Sequence, residues 1–262
     1  MSDSDLQQNS PSYRLAATDQ DFILGDSMRG VRFLLEYAKA EEVLRNWGIR
    51  STVVVFGSAR VAVDGNARAR RWYDQARQFG RIVSERGGAM TPADGVLDNV
   101  VATGGGPGIM EAANRGAFEA GAPTIGFNIQ LPHEQVPNPY TTPELTFQFH
   151  FFAMRKMHLA MRAAALVVFP GGFGTFDELF EMMTLLQTGK APALPVVCFD
   201  RSYWTRVINF SALLEDGMIS AADLELFKFA DNAEEAWDAL LTAGLRAPET
   251  FHVAGPRRDV ER

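Results

Sequence analysis

Residues 170–178 read PGGFGTFDE. The apolar run AALVVF ends just before them, and the stretch LFEMMTLLQT, helical in its pattern, starts just after. An apolar run, a glycine-rich turn and a helical pattern in that order mark the junction of a buried parallel strand with its covering helix. Gly171, Gly172 and Gly174 let the backbone turn tightly and approach a ligand closely. A helix starting beside them points free N–H groups and the positive end of its dipole outward, an arrangement that favours an anion. Thr175 adds a hydroxyl that can cap the helix or bind a phosphate oxygen.

The same junction occurs twice earlier in the chain. TVVVF (Thr52–Phe56) runs into Gly57 and Ser58, and residues 99–102 run into Thr103, Gly104, Gly105, Gly106 and Gly108. Further strands are expected at PTIGFNI, LTFQF, ALPVVCF and LFKFA. Helices are expected over 28–47 and 66–86, and at IMEAANRGAFEAG, FFAMRKMHLAMRAA, GTFDELFEMMTLLQTG, SYWTRVINFSALL and EEAWDALLTAG. Strands alternating with helices predict an α/β fold, a doubly wound parallel sheet with helices on both faces. One domain over 26–250 is expected, after a disordered or loosely docked arm (1–25) and before a short tail (251–262). Residues 130–143 hold four prolines and read as a loop. Ligands in such folds sit at the carboxyl ends of the strands, so the three glycine turns should converge on one crevice.

The composition narrows the ligand. A net charge of −7 without a block of Lys or Arg argues against nucleic acid. No run reaches the length of a membrane span, and MSDSDLQQNSPS lacks the apolar core of a signal peptide, so a cytoplasmic protein is expected. The single cysteine, Cys198 in LPVVCF, excludes an internal disulfide and reads as core. The four histidines show no metal-ligand spacing; neither a metal nor a cofactor is expected. No Gly-Lys-Ser/Thr follows the turns. After Gly104 and Gly106 the third glycine falls at 108, which departs from the dinucleotide fingerprint. A mononucleotide or a sugar phosphate fits better.

Charged residues near the turns supply candidate chemistry. Glu178 lies one turn inside the helix. A helical wheel places Phe176, Leu179, Phe180 and Met183 on the sheet side. Glu178 then falls on the other side with Glu181, Met182 and Leu185, where another subunit could cover it. Arg155 and Lys156 interrupt an otherwise apolar helix and need partners: a phosphate, Glu178, a structural ion pair, or solvent reached by snorkelling.

Taken in order, Gly57-Ser58-Ala59-Arg60, GGGPGIMEAAN, MRKM and PGGFGTFDE resemble the LOG family of cytokinin riboside 5′-monophosphate phosphoribohydrolases, over roughly residues 50–230. The resemblance implies a Rossmann-like fold, a homodimer or larger assembly, and hydrolysis of an N-glycosidic bond to free base and ribose 5-phosphate. It implies Arg155 and Glu178 as the catalytic pair. Gly57, Ser58, Gly104, Gly105, Gly106, Gly108, Lys156, Gly171, Gly172, Gly174 and Thr175 are the candidate binding residues. The substrate would be a purine nucleoside 5′-monophosphate. The segment before Arg155, FFAM, departs from the acidic or histidine-bearing segment of short-form members, a difference that concerns base recognition. Two other readings remain: a non-hydrolytic binder of a nucleotide or of a phosphorylated, molybdenum-cofactor-type molecule, and a pyridoxal-phosphate lysine decarboxylase, for which Lys156 is the one lysine near the turns.

Overall fold

The computed structural model describes residues 3–90, 95–131 and 136–248. The expected tail and part of the proline-rich loop lie outside them. Seven strands form one parallel sheet in the order β4-β3-β2-β1-β5-β6-β7. These are β1 (Thr52–Phe56), β2 (Val100–Thr103), β3 (Thr124–Ile129), β4 (Thr146–Phe149), β5 (Ala163–Val168), β6 (Val196–Phe199) and β7 (Lys228–Ala230). β1 is central and buried along its whole length. Its side chains alternate between two cores, Val53 and Val55 on one face and Val54 and Phe56 on the other. A strand with a core on each face must be apolar at every position, which is why TVVVF shows no polar alternation.

The helices divide between these faces. Short helices α1 (Asp3–Gln8) and α2 (Gln20–Leu24) precede α3 (Arg29–Asn46). The expected arm thus carries helical turns, and Arg32 of α3 holds it by donating to the carbonyls of Ile23 and Gly25 at 2.9 and 2.7 Å. Residues of α4 (Ala67–Arg86), α5 (Ile109–Glu119) and α10 (Ala233–Thr242) share the core of Val53 and Val55. Residues of α3, α6 (Phe152–Met161), α7 (Phe173–Gln187) and α8 (Arg201–Val207) share the core of Val54 and Phe56. Cys198 belongs to this second core, and burial pushes its thiol up to about 12. The single helix expected over SYWTRVINFSALL is instead two, α8 and α9 (Phe210–Glu215). Ile208 is extended, and the side chain of Asn209 accepts from Ala212 N to cap the second helix. An Asn that bonds the backbone locally starts a new helix more readily than it continues an old one. No helix among the described residues is long and apolar enough to cross a membrane.

One ion pair docks α3 beside β5. Arg162, between α6 and β5, donates through both terminal nitrogens to Glu41 at 2.8 Å and through Nε to Ile49 O at 3.2 Å. The Arg162 fork, with help from Arg45, pulls Glu41 down from 4.5 to about 2 although burial works the other way. A depressed carboxylate pKa means that the pair contributes fully above pH 4.5 and is lost as pH falls towards 2. Glu41→Gln is therefore expected to cost about 1–3 kcal/mol at pH 7, the linkage value discounted for partial exposure. Urea denaturation should show the gap from the parent closing as the pH drops through that window.

Candidate functional site

From β1 the chain proceeds outward through β2, β3 and β4, then returns to place β5 on the other flank of β1. The order reverses there, and a crevice opens at the carboxyl ends of β1 and β5. A cleft of about 840 Å³ occupies it. Gly57, Ser58, Gly104, Arg155, Gly171, Gly172, Gly174, Thr175 and Glu178 all line this cleft. The convergence expected of the three turns is what the topology produces.

The backbone of Ser58 joins these turns. Its N–H donates to Pro170 O at 3.0 Å, and its carbonyl accepts from Ile109 N at 3.1 Å. Gly108 has φ +74°, and a Cβ there would fall 2.4 Å from Ser58 O, so only glycine allows that approach. A Cβ on Gly171 would fall 2.0 Å from Thr175 Oγ1. Thr175 is therefore the floor of its own turn rather than a helix cap; α7 starts earlier, with Gly172 at the cap position.

Gly105, Gly106 and Gly108, grouped by sequence with the binding residues, do not line the cleft. Gly105 N donates to Thr103 Oγ1 and its carbonyl accepts from Asn138 N, both at 2.9 Å. Asn138 Nδ2 donates to Gly106 O at 3.1 Å and to Asn114 Oδ1 at 3.0 Å. Asn138 is buried, so the later part of the proline-rich loop is a strut beneath this turn. The N–H of Gly105 and the carbonyls of Gly105 and Gly106 are thus spent on the protein.

The buried side of α7 also differs from the wheel. Thr175, Glu178, Leu179 and Met182 are its buried residues, whereas Phe180 is 39% exposed. Glu178 thus lies on the inward face. Arg155 Nη2 donates to Glu178 Oε1 at 2.8 Å, and Arg155 Nε is buried without an acceptor. Phe152 lies under the guanidinium at 5.4 Å. Burial raises the Glu178 carboxyl above its ordinary value of 4.5, against the pull of Arg155 and Lys156. Lys156, also grouped with the binding residues, does not line the cleft. Its ammonium is 2.8 Å from both Asp177 and Glu181 and 3.9 Å from Glu178 Oε2. Burial opposes its charge, but these carboxylates prevail and raise its pKa above 10.5.

Sequence reasoning did not single out Tyr203, which also lines the cleft. Its hydroxyl donates to Gly171 O. In a trans peptide the N–H points opposite the carbonyl, so this bond directs Gly172 N–H away from Tyr203. Asp200 anchors Tyr203 in turn. It is 2% exposed, left-handed at φ +67°, and accepts from Tyr203 N, Ser202 Oγ, Trp72 Nε1 and Arg68 Nη2. Burial works against its charge, but those donors outweigh it and lower the pKa. Two aromatic residues from distant segments and one strained Asp leave no periodic signal in a sequence.

Comparisons with known proteins fit this geometry. The family model described as "Possible lysine decarboxylase" matches residues 110–240, half of the chain. Curated relatives matched by the chain carry the LOG name. The chain belongs to the LOG family. It is 28% identical over 148 residues to the Oryza sativa subsp. japonica protein "Probable cytokinin riboside 5'-monophosphate phosphoribohydrolase LOG4", a match covering 55% of this chain and 63% of that protein. It is 26% identical over 145 residues to the Arabidopsis thaliana cytokinin riboside 5′-monophosphate phosphoribohydrolase LOG5, covering 52% and 60%. The chain thus spans less than two thirds of the length of these LOG relatives. The X-ray structure of TM1055, a structural-genomics target, superposes with a TM-score of 0.52 at 25% identity, covering 73% of this chain and 99% of that one.

Tyr203→Phe keeps the ring and removes the hydroxyl that holds Gly171. Calorimetric titration with inorganic phosphate should show binding about 3- to 10-fold weaker, the worth of one neutral hydrogen bond. An unchanged affinity would mean that the bond does not orient the turn.

Proposed function

We propose that the chain hydrolyses the N-glycosidic bond of purine nucleoside 5′-monophosphates, with adenine or an N6-modified adenine as the base, releasing free base and ribose 5-phosphate. The observation that carries this reading is the buried Arg155–Glu178 pair in the wall of the glycine-lined cleft. The names of the LOG relatives support the substrate class. Breaking the C1′–N bond sends its electron pair to the base and builds positive charge on the ribose. Water adds its oxygen to C1′, and its proton ends on the base. A carboxylate at the cleft wall can stabilise the cationic ribose, orient its hydroxyls or activate the water. Arg155 holds Glu178 in place, and its remaining donors can bind substrate oxygens as a rigid fork. A phosphate anchored by the 171–175 turn would let binding energy from a non-reacting group place C1′ against Glu178.

The decarboxylase reading is opposed by Lys156 itself. A Schiff-base lysine needs a neutral amine, whereas this ammonium is clasped by carboxylates and its pKa is raised.

The test is chromatography of free base after incubation with AMP, GMP, CMP, UMP and N6-isopentenyl AMP. Glu178→Ala should lower kcat/KM for the preferred substrate about 10²- to 10⁴-fold and leave its Kd within about tenfold, the contribution of a single hydrogen bond to a charged group. Nucleotide binding with no base release from any of the panel would transfer the assignment to a non-hydrolytic nucleotide or molybdenum-cofactor-type binder. The pH profile gives an independent check. Glu178 must be ionised to act, and burial raises its pKa, so the acid limb of kcat/KM should lie above pH 4.5. Activity should fall as pH drops through that limb; a limb at or below 4.5 would contradict a buried catalytic carboxylate.

A further inference from the structure

Among the described residues, the charged side chains lining the cleft are Arg60, Arg155 and Glu178. The charge of Arg155 is balanced by Glu178 at 2.8 Å. Lys156 is spent on Asp177 and Glu181 and stands outside the cleft. The guanidinium of Arg60 is exposed and has no ion-pair partner among the described residues. Among the described residues it is the one uncommitted cation in the cleft lining.

Its position is also built. Arg60 N donates to Ser58 Oγ at 3.0 Å, which tightens the turn after β1. Ser58 N donates to Pro170 O at 3.0 Å, which ties that turn to the 171–175 turn. A phosphate monoester carries close to two negative charges at neutral pH. The start of α7 supplies about half a positive charge, and Arg155 is already neutralised. The arithmetic leaves a charge for a planar, bidentate cation to meet.

We propose that Arg60 binds the phosphate monoester and is the side chain by which the cleft prefers a 5′-monophosphate to the nucleoside. The proposal rests on the reading of the cleft as a nucleotide site. Calorimetric titration of the parent, Arg60→Ala and Arg60→Lys with AMP, ribose 5-phosphate and adenosine tests it, the AMP titrations being run in the Glu178→Ala background so that the nucleotide is not turned over. Arg60→Ala should weaken AMP and ribose 5-phosphate about 10- to 100-fold, the worth of charge-assisted bonds, and leave adenosine within about twofold, since a neutral nucleoside gains nothing from that charge. Arg60→Lys should fall between, because a point charge lacks the fork. Parent-like AMP affinity in Arg60→Ala overturns the assignment, as does an equal loss for AMP and adenosine, which would place Arg60 on the ribose or base. If the parent binds neither AMP nor ribose 5-phosphate, the nucleotide reading of the cleft fails and the assignment with it. An exposed side chain should not hold up the fold, and parent-like thermal melting of both variants checks this.

Discussion

The peptide groups of Ser58 hold the site together. One donates to the turn after β5 and the other accepts from the start of α5. Three strand-to-helix junctions are thereby fixed at hydrogen-bond distance from a single residue. Gly108 must be glycine for this to happen, because any Cβ would strike Ser58 O. The glycines therefore divide into two kinds. Those of the 171–174 turn and Gly104 line the cleft, whereas Gly108 makes the close approach to Ser58, and Gly105 and Gly106 are bonded to Thr103 and Asn138 beneath it.

The second constraint is electrostatic. Placing Glu178 on the inward face of α7 removes a carboxylate from water, a cost of several kcal/mol unless it is paired. Arg155 meets it from the cleft, and Lys156 stands at 3.9 Å on the other oxygen. Lys156 is held in turn by Asp177 and Glu181 on the exposed side of the same helix. The spacing of these acids, at 177, 178 and 181, lets one helix serve both cations. Burial still prevails in raising the Glu178 pKa, so the pairing offsets only part of the cost of desolvation.

The fold was legible because both of its signals are one-dimensional. Apolar runs such as TVVVF alternate with helical stretches, and glycines stand at the three junctions after β1, β2 and β5, so the parallel sheet and the crevice follow from order alone. The orientation of α7 was not legible. Apolar side chains occur all round that helix, so a wheel finds several acceptable faces, and burial of Thr175 and Glu178 is decided by the turn beneath them. The break at Asn209 was hidden because an Asn can sit within a helix or cap one. Lys156 misled for a different reason. Adjacency to Arg155 suggests a shared ligand, but neighbouring helical residues point about 100° apart, and the 2.8 Å contacts of Lys156 are to Asp177 and Glu181 while that of Arg155 is to Glu178.

The hydroxyl of Tyr203, from the segment after β6, closes on Gly171, while Ser58 comes from the segment after β1. The cleft wall around the 171–175 turn is thus assembled from parts far apart along the chain, on both flanks of the sheet's centre. No local fragment can form it, so a bound ligand is coupled to the closed sheet as a whole. Any molecule that binds there would act as a global stabiliser, with a gain that grows as the logarithm of its concentration over its dissociation constant. Occupancy in the cell would set how long the intact sheet survives against unfolding and proteolysis, whatever chemistry the site performs.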